Sequence, residues 1–99
     1  MSRTEMQSKL IPDRTTVVDV RISHYDVFIA RPSPWGNPFR VGRDGTRVEC
    51  LKKYRAWLQE QPHLLARIPE LRGKRLGCYC APLPCHGDVL ADLADREDD

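Results

Sequence analysis

Two short stretches of the chain alternate apolar and polar residues with the period of a strand. Thr15–Ile22 (TTVVDVRI) is rich in β-branched residues, and Val18, Val20 and Ile22 sit between polar neighbours. Tyr25–Ala30 (YDVFIA) sets Tyr25, Val27 and Ile29 on one face and Phe28 and Ala30 on the other. Apolar residues on both faces predict a central strand. The pattern then changes period. Thr46 and Glu49 form a capping box, in which a hydroxyl and a carboxylate three residues apart satisfy each other's backbone N–H groups. Behind it, Cys50, Leu51, Tyr54, Trp57 and Leu58 recur at helical spacing and predict a helix over 47–60. Pro62 ends it, and His63–Leu71 predicts a shorter helix limited by Pro69. Lys74–Cys80 (KRLGCYC) reads as a third strand, and Asp88–Asp95 as a last helix with Val89, Leu90 and Leu93 inward.

This order places a strand, a helical segment and a second strand in succession. Such crossovers make the two strands parallel, with their carboxyl ends on one edge of the sheet. The expected architecture is therefore a single small α/β domain. It has a three-stranded, partly parallel sheet and two to three helices over residues 15–96, preceded by a mobile arm over 1–14 and followed by a frayed acidic tail over 97–99. Ninety-nine residues suffice for one core and not for two domains. Met1–Lys9 lacks the apolar centre of a signal peptide, and no apolar run approaches the length of a membrane span. These features predict a cytoplasmic protein with no membrane partner.

Composition is ordinary in total and uneven in distribution. Five of the eight prolines (Pro32, Pro34, Pro38, Pro82, Pro84) and three of the four cysteines (Cys78, Cys80, Cys85) crowd into two segments. Each segment follows the carboxyl end of a predicted strand, where ligands bind in open α/β sheets. The two segments are expected to line one cleft.

The C-terminal segment admits several readings. Cys78 and Cys80 lie two apart on a strand and share a face, and Cys85 and His86 return after a short loop. Thiolates and an imidazole suit a zinc ion, so Cys78, Cys80, Cys85 and His86 are candidate metal ligands. The spacing departs from the usual C-x₂-C hairpin. Alternatively, Cys85 is a thiolate nucleophile before a helix N-terminus, with His86 as base and Asp88 as orienting group. A disulfide, or burial as small apolar side chains, also accounts for the thiols. Cys50, on the inner face of its helix, reads as core.

In Arg31–Phe39 (RPSPWGNPF), proline and glycine hold a loop in one shape. Arg31 offers a planar fork for phosphate, Trp35 a face for stacking, and Asn37 both donors and acceptors. Ser33 and Gly36 complete the candidate ligand-binding set. The alternative is that Trp35 and Phe39 plug the core beneath the loop.

The net charge of +2 conceals a segregation. Residues 40–75 carry ten basic and four acidic groups, whereas residues 76–99 carry one basic and six acidic. The basic middle is either a solvated helix face or a surface for phosphate or nucleic acid. No Walker loop, G-x-G-x-x-G or zinc deaminase signature is present.

RPSPWGNPF at 31–39, GRDGTR at 42–47, KYRAWL at 53–58, ELRGK at 70–74 and CYCAPLPCHGD at 78–88 together give a specific likeness. The chain resembles a family of small bacterial and phage proteins known as a domain of unknown function. The resemblance runs from about Val17 to Leu93. It implies a bacterial or phage origin and no particular reaction. The family pattern has an aliphatic residue where this chain has Cys50, which agrees with a core role for that cysteine. Two functions remain open. One is an enzyme or binding protein for a small phosphorylated molecule, nucleotide-like in kind, with the cysteine cluster supplying zinc or a thiolate. The other is a metal-stapled module without enzymatic activity that binds nucleic acid or protein.

Overall fold

The computed structural model describes residues 14–81 and 83–96. The expected arm, apart from Arg14, and the expected tail lie outside the described residues. Three strands form the sheet: β1 (Thr16–Asp19), β2 (Val27–Phe28) and β3 (Arg75–Cys78). All are parallel, in the order β1-β3-β2, with Leu76 opposite both Val17 and Val27. The helices are α1 (Arg47–Leu58), the single turn α2 (Pro62–Leu65) and α3 (His86–Asp95), with a 3₁₀ turn over Ile68–Leu71. No helix among the described residues is long and apolar enough to cross a membrane.

The central strand is β3, not the Tyr25–Ala30 segment. β2 is an edge strand whose two apolar faces are covered for different reasons. Ile29 enters the core, while Phe28 packs its ring against Tyr25 and Tyr79 on the outer side. The first strand is shorter than Thr15–Ile22 because the chain turns at Asp19. The Asp19 carboxylate accepts the Arg21 N–H, and its carbonyl accepts the N–H groups of Ile22 and Ser23. Val17 is the β1 residue packed on the core, and Ile22 is 82% exposed. The β1–β2 connection crosses the face of β3 at Gly77. A Cβ there would lie 2.5 Å from Val20 Cγ1 and 2.8 Å from Tyr25 Cγ, so only glycine admits this crossing.

The opposite face of the sheet receives the helices. Leu76 and Cys78 alternate with Gly77 and point into the core, which they share with Tyr54 and Leu58 of α1, Leu64 of α2, Leu71 of the 3₁₀ turn and Leu90 of α3. Each of these buried leucines stabilises the fold by about 1.5–3 kcal/mol. The capping box of α1 forms as the sequence indicates, with Glu49 N–H donating to Thr46 Oγ1 at 3.1 Å and Thr46 N–H to Glu49 Oε1 at 2.8 Å. Cys50 is buried in line with Tyr54 and Leu58. The expected second helix splits. Pro62 starts α2, since a missing N–H costs nothing in a first helical turn, and Pro69 lies in the 3₁₀ turn. Thr15 ties the start of β1 to both neighbours. It accepts the Gly73 N–H at 2.8 Å, and its own N–H donates to Asp95 at the end of α3.

Candidate functional site

α3 begins two residues earlier than the apolar pattern indicates, because Cys85 is its N-cap. The Cys85 sulfur accepts the Gly87 N–H at 3.3 Å, and the Asp88 carboxylate accepts the Cys85 N–H at 2.9 Å. This arrangement is a capping box built on a thiol. It aims Cys85 at the end of β3, where its sulfur lies 3.4 Å from that of Cys78. The thiols are nearly sealed, at 1% exposure for Cys78 and 3% for Cys85. The Cys78 thiol is drawn down to about 6, first by the hydrogen bond with Cys85 and then, against its own burial, by the N–H groups of Cys80 and Ala81. The same hydrogen bond and burial push Cys85 up.

His86 is bonded to a backbone carbonyl, not to either sulfur. Its Nε2 lies 2.7 Å from the Ile29 carbonyl, which can only accept, so Nε2 carries the proton. Burial holds the ring's pKa below its usual range, and the positive charge of Arg31 adds to this. The ring edge packs on Tyr54, 5.2 Å between centroids. The expected nucleophile–base–orienter set is therefore not assembled. Cys85 faces Cys78, His86 faces a carbonyl, and Asp88 caps a helix. The expected zinc set is not assembled either. Only Cys78 and Cys85 meet, and no group of three or more His, Cys, Asp or Glu side chains among the described residues is placed to hold a metal ion.

The proline-rich loop and the cysteine loop do line one cavity of about 660 Å³ beyond the carboxyl ends of β2 and β3. Arg31, Asn37, Cys78, Cys80, Cys85 and His86 contribute to its wall. The other loop candidates do not. Trp35 is 3% exposed and belongs to the core, with the Arg67 guanidinium 5.6 Å over its ring and its carbonyl taking the Tyr54 hydroxyl at 2.8 Å. It is a plug, not a stacking platform. Ser33 Oγ accepts the Trp35 N–H within the loop. Gly36 lies against the Arg31 backbone, where a Cβ would come within 2.8 Å of Arg31 Cγ. These three residues shape the loop from behind. Asn37 does so in part, since its side chain accepts the Phe39 N–H at 2.9 Å and its carbonyl takes Arg31 Nη1 at 2.6 Å.

Nine cavity residues lie outside the candidate set drawn from the sequence, among them Phe39, Arg40, Arg43, Arg47 and Tyr79. For the three arginines the only signal was the excess of basic residues over 40–75. Arg40 and Arg43 are placed by a turn over residues 40–45. In it, Asp44 N–H donates to the Arg40 carbonyl and Gly42 N–H to the Gly45 carbonyl, each at 2.8 Å. Arg43 is paired with Asp44. Arg47, the first residue of α1, reaches across to the Pro84 carbonyl at 3.0 Å and clamps the cysteine loop to the helix. No carboxylate lines the cavity among the described residues.

Fold and site define a small, wholly parallel α/β domain with an arginine-lined cavity at its strand ends. The chain belongs to the family described as "Domain of unknown function (DUF4326)", whose sequence pattern matches residues 14–96. It is 41% identical over 85 residues to the "Uncharacterized 12.4 kDa protein in nrdA-td intergenic region" of Enterobacteria phage T4, covering 81% of this chain and 77% of that protein. It is 30% identical over 90 residues to "Uncharacterized protein R718" of Acanthamoeba polyphaga mimivirus, covering 73% and 68% respectively. Relatives thus extend from a phage to a virus of amoebae. No solved structure matches the chain.

Proposed function

We propose that the cavity at the strand ends binds an anionic small molecule, phosphorylated and nucleotide-like. One observation carries this reading. Four arginines, Arg31, Arg40, Arg43 and Arg47, line a single cavity whose described wall contains no carboxylate, and among the described residues only Arg43 of the four forms an ion pair. Grouped guanidinium ions repel one another, and an anion that accepts from two of them at once relieves this. Arg31 from the proline-rich loop and Arg47 from the start of α1 are the phosphate forks. Phe39 and Tyr79 replace Trp35 as the flat faces available to a base.

Calorimetric titration with a panel of nucleoside phosphates, phosphosugars and inorganic phosphate tests the proposal. Loss of a charge-assisted hydrogen bond costs about 1.5–3 kcal/mol, so Arg47→Ala and Arg31→Ala each weaken binding by roughly ten- to a hundredfold. Unchanged affinity in both variants, with folding verified by circular dichroism, overturns it. Binding only to long nucleic acid, with a steep dependence on salt, would instead favour a nucleic-acid-binding module.

A further inference from the structure

Three of the four cysteines are buried, and they are not equivalent. Cys50 is packed alone, its thiol directed at the Gly45 carbonyl at 3.7 Å. Cys78 and Cys85 are packed against each other at 3.4 Å, from two different elements. Both sulfurs are held. Cys78 ends the central strand, and Cys85 is locked as the α3 N-cap by Gly87 and Asp88. Both line the arginine cavity, which gives a small molecule a path to them.

We propose that Cys78 and Cys85 form an oxidisable dithiol, a site at which a peroxide converts two neighbouring thiols into a disulfide. The oxidant is hydrogen peroxide or a small organic hydroperoxide, which is compact enough to reach a nearly sealed sulfur. The Cys78 thiolate attacks the peroxide O–O bond, forming an S–O bond and releasing hydroxide. The Cys85 sulfur then attacks the Cys78 sulfenic acid and expels water, while the Cys85 proton goes to the leaving oxygen. The released hydroxide takes up the proton that Cys78 lost on ionising. In sum, two thiols are oxidised by two electrons and one molecule of hydrogen peroxide becomes two of water.

The geometry favours the second step over further oxidation of Cys78. The partner sulfur is already in contact, and closure brings the two from 3.4 Å to the ~2.05 Å of a disulfide. Cys80 is partly exposed and is not the partner of either sulfur in this arrangement. Cys50 is an internal control, since it is equally buried and has no thiol beside it.

The test uses the full chain, reduced, treated with chelator and desalted. It is exposed to one equivalent of hydrogen peroxide, and thiols are counted before and after. Two of the four thiols are expected to disappear, and the intact mass to fall by two hydrogens without dimer formation. Cys80→Ser and Cys50→Ala retain the full effect. Cys85→Ser abolishes it, and Cys78 there accumulates added oxygen. Serine is itself a favoured N-cap, so that variant keeps the start of its helix. If it nevertheless fails to fold, Cys80→Ser alone decides, because its C-terminal peptide then contains only Cys78 and Cys85. Persistence of four thiols overturns the proposal. So does loss of the link in Cys80→Ser, or a link that forms only between molecules.

Discussion

Replacing Tyr54 with phenylalanine removes one hydroxyl and leaves the ring. Tyr54 is fully buried in α1, and its hydroxyl donates to the Trp35 carbonyl at 2.8 Å. Burial pushes the phenol well above its usual range, so it remains a donor wherever the protein is folded. This bond joins the most regular element of the domain to the middle of the loop that carries Arg31 and Asn37. The substitution leaves the Trp35 carbonyl buried without its donor, which costs about 1–3 kcal/mol. In a domain of this size each kcal/mol shifts the midpoint by roughly 4–8 °C, so a loss of about 2 kcal/mol lowers Tm by roughly 8–16 °C. Thermal unfolding followed by circular dichroism measures this. Urea titration should show an earlier midpoint with an unchanged slope, because the surface exposed on unfolding is the same. A fall in Tm below about 2 °C would refute the reasoning that this bond holds the loop to α1.

Two further predictions concern pH and backbone packing. His86 is held neutral by burial, with its pKa below the ordinary 6.5, so the unfolded chain binds a proton that the folded one refuses. Stability is therefore full above pH 6.5 and falls as pH drops through that value, by up to about 1.4 kcal/mol per pH unit. His86→Gln keeps a donor for the Ile29 carbonyl and should flatten this slope between pH 7 and pH 5, measured by urea unfolding; an unchanged slope would remove His86 as its cause. Gly77→Ala places a Cβ into the Val20 and Tyr25 side chains of the β1–β2 crossing, with an expected loss of about 1–3 kcal/mol; a neutral result would show that the crossing yields freely.

What was legible in the sequence was local. The Thr46–Glu49 capping box and the Cys50, Tyr54, Leu58 spacing specify α1 because a helix closes its own hydrogen bonds within a few residues. The buried face of α3 was legible for the same reason, although its start was not, since cysteine is an uncommon N-cap. Strand order was not legible. Val27, Phe28 and Ile29 read as central because both faces are apolar. Yet an edge strand gives the same pattern when one face enters the core and the other meets aromatic neighbours.

The site divides in the same way. Connectivity alone placed the RPSPWGNPF loop and the cysteine loop on one sheet edge, because parallel strands end on the same side. Which side chains enter the cavity was decided by tertiary structure. Trp35 turns inward because Tyr54 takes its carbonyl and Arg67 covers its ring. Arg40 and Arg43 line the cavity because of the turn over residues 40–45, and Arg47 because it reaches from α1 to the Pro84 carbonyl. Cys85, His86 and Asp88 are consecutive or nearly so, and sequence alone invites a shared role for them. The first turn of α3 instead points them at a thiol, a carbonyl and a backbone N–H. Sequence by itself determined the elements and the edge on which the site lies, because those follow from short-range bonding and chain order. The direction of each side chain within that edge belongs to contacts between residues far apart in the chain, and only the folded structure contains them.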